Sequence, residues 1–160
     1  MYADDQAARD AWIDSGLPPT SDAARALGMK VMDIDKRDTA ALAAMIDAHG
    51  WPGVRLVGKD GAHAAWLLAQ HADLDRAFQK RCLALLEVAV AHGDAAPNEY
   101  AYLYDRVALA EHRLQRYGTQ VMGTEPAPLE DPANVDARRS AVGLGPLDEY
   151  LKPFREHTLP

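Results

Sequence analysis

The polar side chains that interrupt the apolar helical stretches of this chain are the ones placed to do chemistry. The segment Ala62–Ala72 is apolar on nearly every side and ends in Gln70-His71. A helix of that kind is surrounded by others, so its amide and imidazole need partners. Leaving either unsatisfied would cost roughly 1–3 kcal/mol. His71, turned by a carboxylate, is placed to act as a general base near neutral pH. The plainer reading is a histidine that bonds a carbonyl and fixes packing.

A second interruption, Asp105-Arg106, lies in the mostly apolar run Ala101–Ala110. Neighbouring helical residues point about 100° apart, so the two need not pair with each other. Asp105 shares a face with Ala101, Ala108 and His112, and Arg106 with Tyr102 and Arg113. The functional reading makes Asp105 the carboxylate behind His71 and Arg106 the holder of a carboxylate or phosphate. The plain reading is a structural salt bridge.

Asp35 falls on a helical stripe with Thr39, Leu42 and Ile46 and is expected to point inward. Lys36, Arg37 and Asp38 are expected to be solvated. Gln115-Arg116-Tyr117-Gly118-Thr119-Gln120 follows the Asp105 helix. Gly118 permits a tight turn there. Tyr117 and Gln120 offer a hydroxyl and an amide for a ligand. The expectation is thus one cavity, with His71 and Asp105 catalytic and Asp35, Gln70, Arg106, Tyr117 and Gln120 binding substrate.

Helices must carry these residues. The signals predict a first helix over about 4–15 and, with Ser21 or Asp22 as cap, a second reaching His49 with a break at Gly28. Gly50 and Pro52 stop the second helix. A loop follows, with Val54-Arg55-Leu56-Val57 the one weak strand candidate, and then a helix over about 60–71. Asp73 is read as the cap of a long helix to His92, whose apolar face is Leu74, Phe78, Cys82, Leu85 and Ala89. Pro97 opens a helix reaching His112. A Gly/Pro-rich loop follows, and then short helices over 134–142 and 147–154.

Alanine is abundant and β-branched residues are few, so the fold class is all-α: an irregular bundle of about five to seven helices in one domain over 1–160. Hydrophobic residues make up 48% and charged residues 26%, which argues against a disordered chain. A net charge of -7 argues against a nucleic-acid partner, and no apolar run reaches the length of a membrane span. The single cysteine, Cys82, forbids an intrachain disulfide, and the start of the chain lacks a secretory pattern. A cytoplasmic protein is expected, with its oligomeric state open and a homodimer among the choices.

Several motifs resemble one uncharacterised bacterial family. They are His49-Gly50-Trp51-Pro52-Gly53, Leu56-Val57-Gly58 with Gly61, and Ala65-Trp66-Leu67-Leu68-Ala69-Gln70-His71-Ala72-Asp73. Ala101-Tyr102-Leu103-Tyr104-Asp105-Arg106-Val107, Gln115–Gln120 and the tail from Leu129 to Leu144 follow in the same order. The family is domain of unknown function 6624, and the resemblance covers about 4–150. It implies a mainly helical stand-alone protein and supplies no reaction. The chain departs from the family pattern at Asp38, where Asn is usual.

A metal site is the lesser alternative. His71 and Asp75 lie one turn apart, but no HExxH, Cys/His pair or EF-hand loop is present. No metal and no cofactor is therefore expected. Cys82 reads as a core residue, not a nucleophile. Two functions remain. One is a small cofactor-independent enzyme doing acid–base chemistry (hydrolysis, elimination, isomerisation or cyclisation) on a small polar or carboxylate-bearing metabolite. The other is a non-catalytic helical module that binds a ligand or protein, its polar network being structural.

Overall fold

Ser21 stands in extended conformation and its side chain accepts from the N–H of Ala24, so the helix that begins at Asp22 starts where the sequence caps it. The computed structural model describes residues 1–156. Among them are α1 (Tyr2–Ile13), α2 (Asp22–His49), α3 (Val54–His71), α4 (Arg76–Ala91), α5 (Pro97–Ala110), α6 (Val135–Ala141) and α7 (Leu147–Glu156). The class is all-α. The only sheet among the described residues is a two-residue antiparallel pairing, β1 (Val121–Met122) with β2 (Glu125–Pro126).

The chain forms two compact units, Met1–Gln79 and a second starting at Lys80, with the boundary inside α4. In the first, α1, α2 and α3 pack on one another. α2 runs unbroken through Gly28, because a helical glycine costs only about 1 kcal/mol against alanine and packing outweighs that. Its inward stripe is Ala24, Val31, Leu42 and Ile46, and it also carries Asp38. Burial of each large apolar side chain contributes about 1.5–3 kcal/mol. On α3 the stripe is Ala62, Ala65, Leu68 and Ala69, and its short side chains let neighbouring helices come close.

Three expectations change here. Val54–Val57 is a helical turn, not a strand; Gly58, at φ 73°, then kinks α3. Only glycine takes that conformation without strain. Asp75, not Asp73, caps α4, accepting from the N–H of Phe78 at 3.0 Å, while Asp73 pairs with Arg76. The buried face of α4 is Phe78, Cys82, Leu86 and Ala89; Leu74 lies before the helix and is exposed.

In the second unit, α5 starts at Pro97, whose missing N–H costs nothing in the first turn. α6 packs on α7, and α7 on β2. Among the described residues no helix is long and apolar enough to cross a membrane.

Candidate active site

His71 is the last residue of α3, and its ring is 16% exposed. Its Nδ1 lies 2.9 Å from Oδ2 and 3.1 Å from Oδ1 of Asp5 in the first turn of α1. An ionised carboxylate only accepts, so Nδ1 carries a hydrogen, and in the neutral ring that places the lone pair on Nε2. Burial opposes ionisation of Asp5. The hydrogen bond and charge of His71, the Gln6 amide and Arg9 outweigh that burial and hold the carboxyl below its ordinary range. The carboxylate that orients His71 is therefore Asp5, not Asp105.

Arg9, one turn after Asp5, donates from Nε to Asp5 Oδ1 at 2.9 Å and from Nη2 to Asp35 Oδ1. It bridges two carboxylates that would otherwise repel. Asp35 points inward from α2 as its stripe predicts, with its side chain 13% exposed. Burial, helped by the charge of Asp5, pushes its carboxyl up against the pull of Arg9 and His71. One ligand-type atom from each of Asp5, Asp35 and His71 lies within 4.8 Å of the other two. That set has the donors of a divalent-cation site, but the Arg9 guanidinium already donates to one oxygen of each carboxylate there. As it stands, the geometry is that of an oriented base.

Asp38 corrects the sequence reading. It is 2% exposed, not solvated, with Oδ1 accepting from Arg37 Nε at 2.7 Å. Its place on the stripe between Val31 and Leu42 outweighs its charged neighbours. Gln70 is 4% exposed and buried as expected, yet among the described residues neither Nε2 nor Oε1 has a hydrogen-bond partner. The carbonyl end of α3 is held instead by Gln79, whose Nε2 donates to the carbonyls of Ala69 and Gln70 and to Asp73.

Asp105, Arg106, Tyr117 and Gln120 belong to the second unit. Asp105 is fully buried and accepts from the N–H groups of Arg116, Tyr117 and Thr119 and from the Thr119 hydroxyl. Burial pushes its carboxyl up, and these loop donors pull the other way. With both oxygens engaged in this way, Asp105 shapes the loop; it does not serve an imidazole. Gly118, at φ 69°, makes the turn that aims those N–H groups, and a Cβ there would come within 2.9 Å of Leu147.

Gln115, fully buried, closes the loop from its other side. It donates to the carbonyls of Gln120 and Ala127 and accepts from the N–H of Gln120. Tyr117 is buried, its ring edge-on to Tyr104. The Gln120 amide donates to Thr119 Oγ1, and Arg106 is half-buried on α5. Arg139, which the sequence reading passed over, is buried, donates to the carbonyls of Tyr117 and Gly145, and lies over the ring of Tyr150.

The expected set is thus divided between units. His71 and Asp35 meet in the first, and Asp105, Tyr117 and Gln120 serve one loop in the second. Asp5 and Arg9 were missed. Their signal was the i, i+4 acid–base pair flanking Ala8, which is buried on the inner face of α1.

No curated protein and no solved structure gives a significant match to this chain. A family model, described as a family of unknown function, matches residues 1–158. The chain that carries this Asp5–His71 pair and this Asp105-organised loop belongs to the DUF6624 family.

Proposed function

We propose that the protein is a small enzyme that needs no redox cofactor and uses His71 as a general acid–base on a small polar metabolite. One observation carries the reading: an ionised Asp5 fixes Nδ1 of His71 at 2.9 Å, which leaves Nε2 as the basic atom. Asp35 borders the same ring, Arg9 ties it to Asp5, and the two would orient the reacting group. Hydrolysis, elimination, isomerisation and cyclisation all need a proton taken or given at such an atom. General acid–base catalysis of this kind contributes about 10²–10⁴-fold. A reducing, cytoplasmic location belongs to the same proposal and fits a chain whose one cysteine, Cys82, is buried.

The experiment is an activity panel of esters, amides, β-elimination substrates and isomerisable carbonyl compounds, run on wild type, His71→Ala and Asp5→Asn. The reading expects any turnover found to fall by about 10²-fold or more in His71→Ala while circular dichroism stays native. Variants that melt earlier but keep turnover would overturn it. The second reading is a non-catalytic module. It is favoured by the second unit, where Asp105, Gln115 and Arg139 direct their side chains largely at backbone groups.

A further inference from the structure

A groove of about 520 Å³ runs along the first unit, lined by Trp12 of α1, by Gly28, Met29, Val31 and Met32 of α2, and by Leu74. Trp12, Met29, Met32 and Leu74 are exposed by 44%, 60%, 44% and 52%. An apolar lining this open, next to charged groups, is the mark of a binding surface. Methionine walls adapt to varied shapes. Gly28 matters here for its missing side chain: a Cβ would lie 3.8 Å from Cζ2 of Trp12, so a larger residue would fill the space beside the indole.

The groove also includes Arg9 and Asp35, two residues of the His71 cluster. Asp5 and Asp35 bring two negative charges there, and Arg9 brings one positive charge. With a neutral imidazole the cluster keeps one negative charge in excess. Arg9 engages Asp35 through Oδ1 only, which leaves Oδ2 able to accept. The other charges on the groove are paired: Arg25 with Asp22 at 3.2 Å, and Asp73 with Arg76 at 2.8 Å.

We infer that this groove binds a small molecule with an apolar, flat body and an ammonium head, the body lying against Trp12 and the head against Asp35. The inference rests on the proposed function only in placing that head beside His71. A carboxylate head finds no such place, because the one cation of the cluster, Arg9, is already held by two carboxylates.

The test titrates the full chain with phenethylammonium chloride and, in parallel, with sodium 3-phenylpropionate, which has a similar body and the opposite charge. Both are followed by NMR at the Trp12 indole N–H and the Gly28 amide. Phenethylammonium is expected to give saturable shifts at about millimolar concentration, and 3-phenylpropionate to bind at least about tenfold more weakly. Asp35→Asn should weaken the amine about fivefold. Gly28→Leu, which improves helix propensity and so keeps the fold, should abolish it. His71→Ala should keep amine binding while losing turnover, so failure of the groove and failure of the base are told apart. Equal binding of the two probes, unchanged amine binding in Gly28→Leu, or zinc chloride occupying the cluster while the amine leaves Trp12 unshifted would each overturn the inference.

Discussion

Asp5 and His71 stand 66 positions apart in sequence and meet at 2.9 Å, the first turn of one helix against the last residue of another. Asp5 is 1% exposed and His71 16%, so the anion is sealed and the imidazole reaches the surface. That asymmetry suits a base with a fixed tautomer. The same contact pins α1 to α3, so its loss has a structural cost as well as a chemical one.

The sign of that cost with pH follows from Asp5. Its carboxyl is held below the ordinary 3.8, so its stabilisation is complete above that value and is lost as pH falls through the lowered one. The stability gap between wild type and Asp5→Asn should be widest at neutral pH and shrink below about pH 4. Thermal melts from neutral to strongly acidic pH measure it, and a gap that ignores pH contradicts the assignment.

Asp35 has the opposite sign. Its carboxyl is raised above 3.8, so its contribution is present at low pH and is lost as pH rises through the raised value. The ionised carboxylate therefore costs more in the fold than in the unfolded chain. Asp35→Asn should leave stability at pH 7 unchanged or higher, within about 1 kcal/mol. A loss above about 2 kcal/mol in urea unfolding would mark Asp35 as a structural ion pair instead.

Gln70 holds two polar atoms in the interior that find no partner among the described residues. Each unsatisfied buried group costs about 1–3 kcal/mol. Gln70→Met, close in volume, should raise stability by about 1 kcal/mol or more, measured by chemical unfolding. A destabilised variant would show that the amide has a partner the fold depends on.

Asp105 is the converse case. Asp105→Ala strands the N–H groups of Arg116, Tyr117 and Thr119. The loss should be about 3 kcal/mol or more, with faster hydrogen exchange at those three amides. A loss below about 1 kcal/mol would mean that the loop holds without it.

Local signals in the sequence were legible because they act over one turn. Ser21 caps α2, Gly50 ends it at φ 78°, Pro97 opens α5 and Gly118 turns the loop. Periodicity placed Asp35 inward, and counted one step further it also places Asp38, three residues on and four before Leu42. The charged neighbours Lys36 and Arg37 masked that position. The partner of His71 was not legible, because Asp5 in a first turn reads equally well as a charge facing the helix dipole. Asp105 looked catalytic for a related reason: the backbone donors that occupy it carry no side-chain signature, and only the tertiary path of residues 115–120 reveals them.

The protonation of the two ring nitrogens of His71 can be read without any substrate. Long-range ¹H–¹⁵N correlation spectra of ¹⁵N-histidine protein assign protonation to each nitrogen across pH. Neutral His71 is expected to carry its hydrogen on Nδ1 and leave Nε2 bare, and Asp5→Ala is expected to shift the tautomer ratio. Neutral His71 protonated at Nε2 in the wild type, or a tautomer ratio that Asp5→Ala leaves unmoved, would contradict that assignment.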